Sequence, residues 1–249
     1  MSRYGLKEVH RTIWGNGAFA GQTMVVVRFS DCNLWDGNPL HREEGAASCA
    51  LWCDTDFQSG VVLDTDDVLS MMQEQWPLKP GSSPRWCMLT GGEPALQLDT
   101  DLIVALNKAG WLVAIETNGT VKNTHLDACD HVCVSPKLGT PWMECGAKPD
   151  SVLVVLPGAA PLAVGWSDEE LEQLEAYWAE AAPQFYVQPQ DPVLPGNDMA
   201  SLLRGGYEED EGEMLEQVWV RAVRQCMRHV YRNPHWRMSL QTEKWVGLT

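Results

Sequence analysis

The sequence predicts an α/β fold on a mainly parallel sheet, and three observations support that prediction. Short β-branched runs alternate along the chain with segments of helical periodicity. Clusters of polar residues follow most of those runs, where the carboxyl ends of parallel strands would carry a site. The 249 residues, 45% of them hydrophobic, are enough for one sizeable core. We therefore expect one domain over residues 1–249.

The predicted strands are short runs rich in branched and aromatic side chains. They are Met24–Phe29, Trp86–Thr90, Trp111–Glu116, His131–Ser135, Val152–Leu156, Gln184–Gln188 and Trp236–Gln241. The predicted helices lie between them and are Asp66–Trp76, Asp99–Ala109, Asp168–Ala182 and Glu213–Tyr231. Ser167 and Glu170 form a capping-box pattern at the start of the third helix. This alternation favours a parallel α/β sheet or an open barrel.

Two segments without periodicity are predicted to be long loops. Residues 33–60 contain two of the cysteines, and residues 191–212 contain proline, glycine and an acidic cluster at 208–211. We expect the acidic cluster to be a solvated loop.

The charge balance and the absence of apolar segments exclude several classes of protein. A formal net charge of −16 and a pI near 4.6 make nucleic acid an unfavourable direct partner, because the surface repels phosphates. No apolar run is long enough to span a bilayer, and the N-terminus lacks the apolar core of a secretory signal. We therefore expect a soluble cytoplasmic protein that acts on a small molecule and binds no membrane.

Eight cysteines in a reducing compartment favour metal ligation or catalysis over disulfides. Cys32 follows the first predicted strand, and Cys49 and Cys53 close the next loop, so the three thiols could converge. Three thiolates can hold a 4Fe–4S cluster with one iron left open. They can also hold zinc with a fourth ligand such as His41. A third interpretation is that the cysteines are small buried apolar residues.

A second set of cysteines, Cys129, Cys133 and Cys145, could hold an auxiliary cluster. Alternation along the His131–Ser135 strand places Cys133 toward the core instead, and we favour that interpretation. The histidines are scattered without an i, i+4 pair, so a histidine metal site is not expected.

The segment Thr90–Pro94, with the sequence TGGEP, directly follows a predicted strand. Its two glycines allow the backbone to approach a ligand closely, and Glu93 can accept hydrogen bonds from an ammonium group. An ordinary strand-to-helix turn is the alternative.

Together these residues resemble the radical S-adenosylmethionine (SAM) superfamily. In that superfamily three cysteines hold a 4Fe–4S cluster, and a Gly-Gly-Glu strand end receives the amino group of SAM. The motifs RFSDCNLW, CDTDF, LTGGEPALQLD, IETNGT, VCVSPK, VQPQDP and WRMSLQTEK follow the order found in 7-carboxy-7-deazaguanine synthases. The resemblance to that family extends from about Lys7 to the C-terminus.

The resemblance implies a reduced, partial (β/α) barrel and a carbon–nitrogen lyase of deazapurine biosynthesis. Such an enzyme converts 6-carboxy-5,6,7,8-tetrahydropterin to 7-carboxy-7-deazaguanine with loss of ammonia. The reduced cluster splits SAM, and the 5′-deoxyadenosyl radical takes the hydrogen from C6 of the pterin. The resemblance also implies Mg²⁺, an electron donor such as flavodoxin or ferredoxin, and a homodimer.

The resemblance assigns roles to individual residues of this chain. The cluster ligands would be Cys32, Cys49 and Cys53. The residues around SAM would be Trp52, Asp54, Gly92, Glu93, Ser135, Lys137 and Gln188. Thr55 would help hold Mg²⁺ with a hard oxygen ligand. The pterin contacts would be Arg28, Thr90, Glu116 and Asn118. The planar guanidinium of Arg28 can bind a carboxylate through two hydrogen bonds. The alternative role for Arg28 is a surface salt bridge.

Three stretches depart from the family pattern. The cysteine spacing is C-x16-C-x3-C instead of C-x14-C-x2-C. A Gln-Gly-Glu-Gly turn after the N-terminal strand is replaced by Trp14-Gly-Asn16-Gly, and Gln-Thr-His-Lys is replaced by Gln-Thr-Glu243-Lys. We expect Asn16 and Glu243 to face the substrate, with Glu243 replacing the lost carboxylate. The departures leave open a radical SAM relative that acts on a different heterocyclic acid. A cluster- or SAM-binding regulator without turnover and a zinc protein are further alternatives.

Overall fold

The computed structural model describes residues 2–76, 84–146, 148–157, 165–181, 183–191 and 209–242. Within that part of the chain the strands are β1 (Arg3–Trp14), β2 (Gln22–Phe29), β3 (Val61–Asp64), β4 (Arg85–Gly91), β5 (Trp111–Thr117), β6 (His131–Val134), β7 (Ser151–Leu156), β8 (Gln184–Pro189) and β9 (Arg237–Met238). The helices are α1 (Thr65–Gln75), α2 (Thr100–Lys108), α3 (Asp168–Trp178) and α4 (Glu209–Arg232).

The described strands form one sheet in the order β3-β1-β2-β4-β5-β6-β7-β8-β9. β1 pairs antiparallel with both β2 and β3, and every pairing from β2 to β9 is parallel. The mixed α/β class and the mainly parallel sheet are therefore confirmed. The apolar runs predict neither β1 nor the four-residue β3, and an N-terminal strand is implied only by the family resemblance. The last predicted strand, Trp236–Gln241, is reduced to the two residues of β9.

Three of the four described helices begin directly after a capping side chain, and one of these caps was predicted. The Ser167 hydroxyl accepts from the Glu170 N–H, and the Glu170 carboxylate accepts in return, so the predicted capping box is present. Asp64 makes the same kind of box at α1, and Asp99 caps α2. The predicted end of the third helix, Ala182, lies outside the described residues.

Alternate residues of the strands face two different environments. One face packs under the helices, where Val27, Leu89 and Ile115 join the main core with helical residues such as Leu102 and Leu174. We call the opposite side the inner face. Its lower part is lined by Met24, Val26, Met88, Ala114, Cys133, Leu153 and Tyr186.

A short 3-10 turn, Gly17–Phe19, connects β1 to β2 and covers the lower inner face. A Cβ on Gly17 would lie 3.5 Å from Leu153 Cδ1 and 4.0 Å from Tyr186 Cδ2, so the turn reaches the β7 and β8 end of the sheet. Phe19 packs on Trp86 and His131. Trp14, a residue at one of the family departures, is 7% exposed and belongs to this apolar layer.

The predicted loop at 191–212 can be compared with the structure only in part, because residues 192–208 lie outside the described residues, and so does Glu243. Residues 209–212, with three of the four residues of the acidic cluster, belong to α4 and not to a loop, so this helix begins four residues before the predicted Glu213. None of the described helices combines the length and the hydropathy that crossing a membrane requires.

Candidate active site

Three predicted substrate contacts form a row across neighbouring strands near their carboxyl ends. The sheet register pairs Arg28 with Thr90 and Leu89 with Ile115, which places Thr90 next to Glu116. All three occupy inner-face positions, because Val27, Leu89 and Ile115 beside them face the helices. We call Arg28, Thr90 and Glu116 the polar row.

Arg28 forms a salt bridge, which was the alternative to carboxylate binding, but it uses only one of its three nitrogens for it. Its Nε donates to Glu8 Oε1 on β1 at 2.6 Å, and its side chain is 21% exposed. The two terminal nitrogens donate no hydrogen bond to any residue in the described ranges. Arg28 can therefore keep its partner on β1 and still offer two donors to a carboxylate.

Glu116 is the acidic member of the row. Burial raises the pKa of its carboxyl, while the cations Lys137 and Arg28 act to lower it and Asp54 acts to raise it. No donor within the described chain forms a hydrogen bond to this carboxylate. A buried acceptor beside two cations suits a ligand that brings its own N–H groups.

The three cysteines of the predicted cluster site converge. Cys32 packs with Trp52 on the group containing Cys49, and it also packs with Cys53 on Trp35. Burial raises the pKa of all three thiols, to about 12 for Cys49, and Cys53 and Cys32 raise the Cys49 value further. Thiols that influence one another in this way lie in one local site.

The two glycines of TGGEP hold the chain that leads into Cys32. Gly92 N donates to Phe29 O at 3.1 Å, and Glu93 N donates to Asp31 O at 2.9 Å. A Cβ on Gly92 would lie 2.0 Å from Asp31 O, so only glycine fits. The close approach that the sequence predicts is therefore made to the protein backbone next to Cys32.

Glu93 is fully buried and largely satisfied by the protein itself. Its carboxylate accepts from Thr117 Oγ1 at 2.6 Å, Asn118 N at 2.7 Å and Ala95 N at 2.9 Å. Burial raises its pKa, and these hydrogen bonds oppose that effect. A carboxylate accepts about four hydrogen bonds, so roughly one acceptor position remains for a ligand.

Asn118 ties the end of β5 to the cysteine loop. Its Nδ2 donates to Asn33 Oδ1 at 3.0 Å, and its Oδ1 accepts from Thr120 N at 2.9 Å and Thr120 Oγ1 at 2.6 Å. Both acceptor positions of the Asn118 amide oxygen are therefore filled. One hydrogen of its amide nitrogen is left to bind the pterin, the ligand that the resemblance assigns to this residue.

Most of the remaining predicted SAM and magnesium residues lie around the cysteines, whereas Gln188 on β8 belongs to the opposite part of the mouth. Lys137 Nζ donates to Ser135 Oγ at 2.7 Å and lies 5.9 Å from the centroid of the Trp52 ring. The Lys137 cation also lowers the pKa of Cys49, Cys53 and Glu116. Thr55 Oγ1 lies 3.5 Å from Asp54 Oδ1 and donates to it.

The opposite part of the mouth contains two residues that the sequence prediction missed. Ser239 accepts from Gly17 N at 2.9 Å and donates to Gln188 Oε1 at 3.0 Å, so it connects the β1–β2 turn to β8. Gln190, two residues after Gln188, has a buried Oε1 that accepts no hydrogen bond from any described residue, and the same holds for Asn16 Oδ1. The second glutamine of VQPQDP is a signal that could have indicated Gln190. The motif WRMSLQTEK, which contains Ser239, is a comparable signal.

The other cysteines do not form a second site. Cys145 and Cys87 lie in the helix-covered core with Cys129 packed against it, whereas Cys133 lies on the inner face. Across the described ranges, no three His, Cys, Asp or Glu side chains are arranged to hold a single metal ion. His41 lies with Nδ1 2.5 Å from Asp36 Oδ2, is half exposed, and is not part of the packed groups that contain Cys32, Cys49 and Cys53.

The donor set fits an iron–sulfur cluster, which distributes its thiolate ligands over several irons. Three thiols converge in a buried site, Leu34 N donates to Cys32 Sγ at 3.5 Å, and Lys137 supplies a compensating charge. The mainly parallel fold and the three converging thiols are the features that a radical SAM enzyme requires.

Comparisons with known proteins identify the family. No protein-family model matches the chain. The 7-carboxy-7-deazaguanine synthase of Burkholderia multivorans is 34% identical over 98% of this chain and 99% of its own length. Those of Caulobacter vibrioides and Nitratidesulfovibrio vulgaris are 33% and 36% identical with the same coverage. The chain belongs to the 7-carboxy-7-deazaguanine synthase family, which confirms the resemblance seen in the sequence.

A solved structure supports the fold. The crystal structure of QueE from Escherichia coli matches with a TM-score of 0.59 at 20% identity, covering 96% of this chain and 94% of that chain. At that identity the match concerns the fold alone.

Proposed function

We propose that this chain converts 6-carboxy-5,6,7,8-tetrahydropterin to 7-carboxy-7-deazaguanine with loss of ammonia. The observation that carries the proposal is the position of the three converging thiols relative to the polar row. Cys32 follows β2 four residues after Arg28, and Glu116 and Cys53 both lie close enough to Asp54 and Lys137 for their pKa values to respond. A cluster site and a carboxylate-binding site thus open into the same mouth.

Cys32, Cys49 and Cys53 would hold the 4Fe–4S cluster. With SAM bound, the reduced cluster supplies the 5′-deoxyadenosyl radical that takes the hydrogen from C6 of the pterin. The protein places the thiols in a buried pocket, and Lys137 offsets part of their negative charge when they are ionised. Thiols whose pKa is raised by burial release their protons when they bind metal, so cluster assembly should be favoured by mildly alkaline pH.

The polar row would bind the pterin. The terminal nitrogens of Arg28 would bind its carboxylate in a fork geometry, Thr90 would add a hydroxyl, and Glu116 would accept from ring N–H groups. Asn16 Oδ1, buried without a partner among the described residues, would accept a further N–H. Asn118 would contribute its one remaining amide hydrogen, and Glu243 would add the carboxylate that the family places near Asn16.

SAM would lie between the cysteines and Lys137. Trp52 would stack on adenine, and the polar contacts would come from Asp54, Gly92, Glu93, Ser135, Lys137 and Gln188. Glu93 would use its one remaining acceptor position for the amino group, while its three internal hydrogen bonds hold it in place. Thr55 would help hold Mg²⁺ against the substrate.

We further propose that the sheet curves into a partial (β/α) barrel. The contact of the Gly17–Phe19 turn with Leu153 and Tyr186 supports this, because it brings the β1–β2 end toward β7 and β8. A cytoplasmic homodimer reduced by a flavodoxin or a ferredoxin completes the proposal.

A second candidate substrate is a different heterocyclic acid. It is favoured by Gln190 and Asn16, two buried carbonyl-type oxygens without described partners. The polar row would still bind the acid, and these two residues would select another pattern of N–H donors.

The test is anaerobic turnover with reductant, SAM, Mg²⁺ and 6-carboxytetrahydropterin. We expect 7-carboxy-7-deazaguanine and 5′-deoxyadenosine, and neither from Cys49→Ala. 5′-Deoxyadenosine without deazaguanine would favour the second candidate. A colourless preparation with stoichiometric zinc would contradict both.

A further inference from the structure

The segment between Cys49 and Cys53, the second and third predicted cluster ligands, is folded as a compact turn. Residues Ser48–Leu51 form a 3-10 helix, in which Ala50 N donates to Ala47 O and Trp52 N donates to Cys49 O, each at 3.1 Å. A 3-10 helix rises about 2.0 Å per residue, against about 3.3 Å in extended chain. The turn therefore lets three residues separate Cys49 and Cys53 without moving the two thiols far apart.

A short 3-10 turn is weak by itself, because its hydrogen-bond geometry is poor. Here an external group holds it. Arg42 Nη1 donates to Ala50 O at 2.6 Å, and Arg42 Nη2 donates to Cys53 O at 3.0 Å. The guanidinium is planar and rigid, so two bonds from its fork fix the two carbonyls relative to each other. The chain from Ala50 to Cys53 is thereby held at both ends.

Arg42 also connects this turn to the segment that follows Cys32. Its guanidinium carbon lies 4.7 Å from the ring centroid of Trp35, and Trp35 packs at 5.6 Å on Phe57. Cys32 and Cys53 both pack on the group formed by Trp35, Ala50 and Phe57. One side chain therefore contacts both cysteine-bearing segments of the loop.

We propose that Arg42 is a positioning residue for the cluster: it clamps the Ala50–Cys53 turn against Trp35 so that Cys32, Cys49 and Cys53 bind the same cluster. The proposal rests on the proposed function, since it takes these cysteines as cluster ligands. Arg42 contacts neither a thiol nor the polar row in the described structure and acts through Cys53 and Trp35. Its positive charge, bonded to the carbonyl of a cluster ligand, also favours the reduced cluster.

Three variants test the proposal, each compared with the wild-type protein after anaerobic cluster reconstitution. Arg42→Gln removes the charge and the fork, and Arg42→Lys keeps the charge but offers one point donor. Arg232→Gln removes an equal charge from the end of α4, where the side chain is 70% exposed. The measurements are the rate of iron transfer to 2,2′-bipyridyl and the midpoint potential of the cluster followed by electron paramagnetic resonance.

For Arg42→Gln we expect iron loss about ten-fold faster than in the wild type, as is usual for residues behind metal ligands, and a more negative midpoint potential. For Arg42→Lys we expect an intermediate rate with the potential nearly unchanged. Arg232→Gln should match the wild type in both. Wild-type iron retention and potential in Arg42→Gln would overturn the proposal. If that variant does not fold, a wild-type rate of iron loss in Arg42→Lys would overturn it equally. A wild-type protein that binds no iron would refute the proposed function itself.

Discussion

The two sides of the mouth differ in how their buried polar groups are satisfied. On the cysteine side, formed by the ends of β2, β4 and β5 with the cysteine loop, Glu93 and Asn118 are bonded mainly to other protein groups. On the far side, formed by the β1–β2 turn and the ends of β8 and β9, Asn16 Oδ1 and Gln190 Oε1 are buried and accept no hydrogen bond within the described part of the chain. Groups that are already bonded shape the site, whereas buried oxygens without partners are available to a ligand.

This difference has an energetic meaning. A buried acceptor without a partner costs about 1–3 kcal/mol in desolvation. On the cysteine side, Glu93 and Asn118 avoid that cost through their bonds to the protein. The Glu116 carboxylate and the nitrogens Trp52 Nε1 and Arg42 Nε find no partner among the described residues. On the far side the cost is recovered only when a ligand or another donor supplies a hydrogen bond, so the far side should contribute to affinity and little to stability.

The largest expected effect is on the cysteine side. Cys49→Ala should abolish turnover and reduce bound iron to background, because two thiolates and an open position do not retain a 4Fe–4S cluster. The melting temperature of the cluster-free protein should change little. Iron content by colorimetric assay and circular-dichroism melting measure both quantities. Full iron content in Cys49→Ala would mean that this thiol is not a ligand.

Glu93→Gln tests whether the cysteine side is held by its internal hydrogen bonds. The amide keeps the size of the carboxylate, but its NH₂ replaces one acceptor oxygen and so faces at least one backbone N–H donor, that of Asn118 or that of Ala95. We expect a loss of about 3 kcal/mol in the free energy of unfolding and a melting temperature lowered by roughly 6–12 °C. Glu172→Gln, at an exposed position of α3, is the matched control and should melt like the wild type. A Glu93→Gln protein of wild-type stability would contradict this account of Glu93.

Asn16→Ala and Asn118→Ala compare the two sides directly. Asn16→Ala removes an acceptor without a described partner, so stability should be unchanged or slightly higher, while KM for the pterin should rise about ten-fold for a lost interaction of about 1.4 kcal/mol. Asn118→Ala breaks the tie to Asn33 and should cost about 1–2 kcal/mol of stability. Thermal melts and steady-state kinetics on both proteins measure the contrast. A large stability loss in Asn16→Ala would break the distinction between the two sides.

The smallest effect concerns the scaffold that carries both sides. Glu175 accepts from Trp236 Nε1 at 3.0 Å and pairs with His235 at 2.8 Å. Burial alone would raise its pKa, but these partners lower it below the usual 4.5. The folded-state pKa is thus depressed, so the stabilisation is present above pH 4.5 and is lost as pH falls through the lowered value.

Glu175→Gln should therefore flatten the dependence of melting temperature on pH below about 5, with a difference of less than about 1 kcal/mol because the pair is partly exposed. The comparison is a series of thermal melts of both proteins from neutral to acidic pH. Parallel curves for the two proteins would show that this contact does not contribute.

Much of the fold and the convergence of the cysteines could be predicted from sequence, for a physical reason. Buried parallel strands are near-continuous apolar runs, as in Met24–Phe29, and the residues that follow them meet at one edge of the sheet. That rule placed Cys32 and the TGGEP segment at one edge of the sheet, whereas the members of the polar row were assigned from the family resemblance. The apolar runs did not predict β1, an antiparallel strand in which buried and exposed residues alternate. They also did not predict β3, whose four residues are too few to show a period and whose Val61 and Val62 are exposed.

The hydrogen-bond partners within the site were beyond prediction. Glu93 and Asn118 are residue types that often bind ligands, yet each is hydrogen-bonded mainly to other groups of the protein. Whether such a side chain faces a pocket or a backbone donor depends on loop positions that no local pattern encodes. The same holds for Arg42, one of several charged residues in a polar loop until its two carbonyl partners are known.

The polar row also fixes a length. Neighbouring strands of a sheet lie about 4.8 Å apart, so Arg28, Thr90 and Glu116 on three adjacent strands extend over about 10 Å. A flat two-ring molecule with a carboxylate at one end has that dimension. Strand spacing is the same in every parallel sheet, so drift in surrounding loops cannot stretch this distance. Relatives that share the polar row should therefore accept acids of similar length. They should differ in the hydrogen-bonding pattern of the substrate ring that contacts the β1–β2 turn.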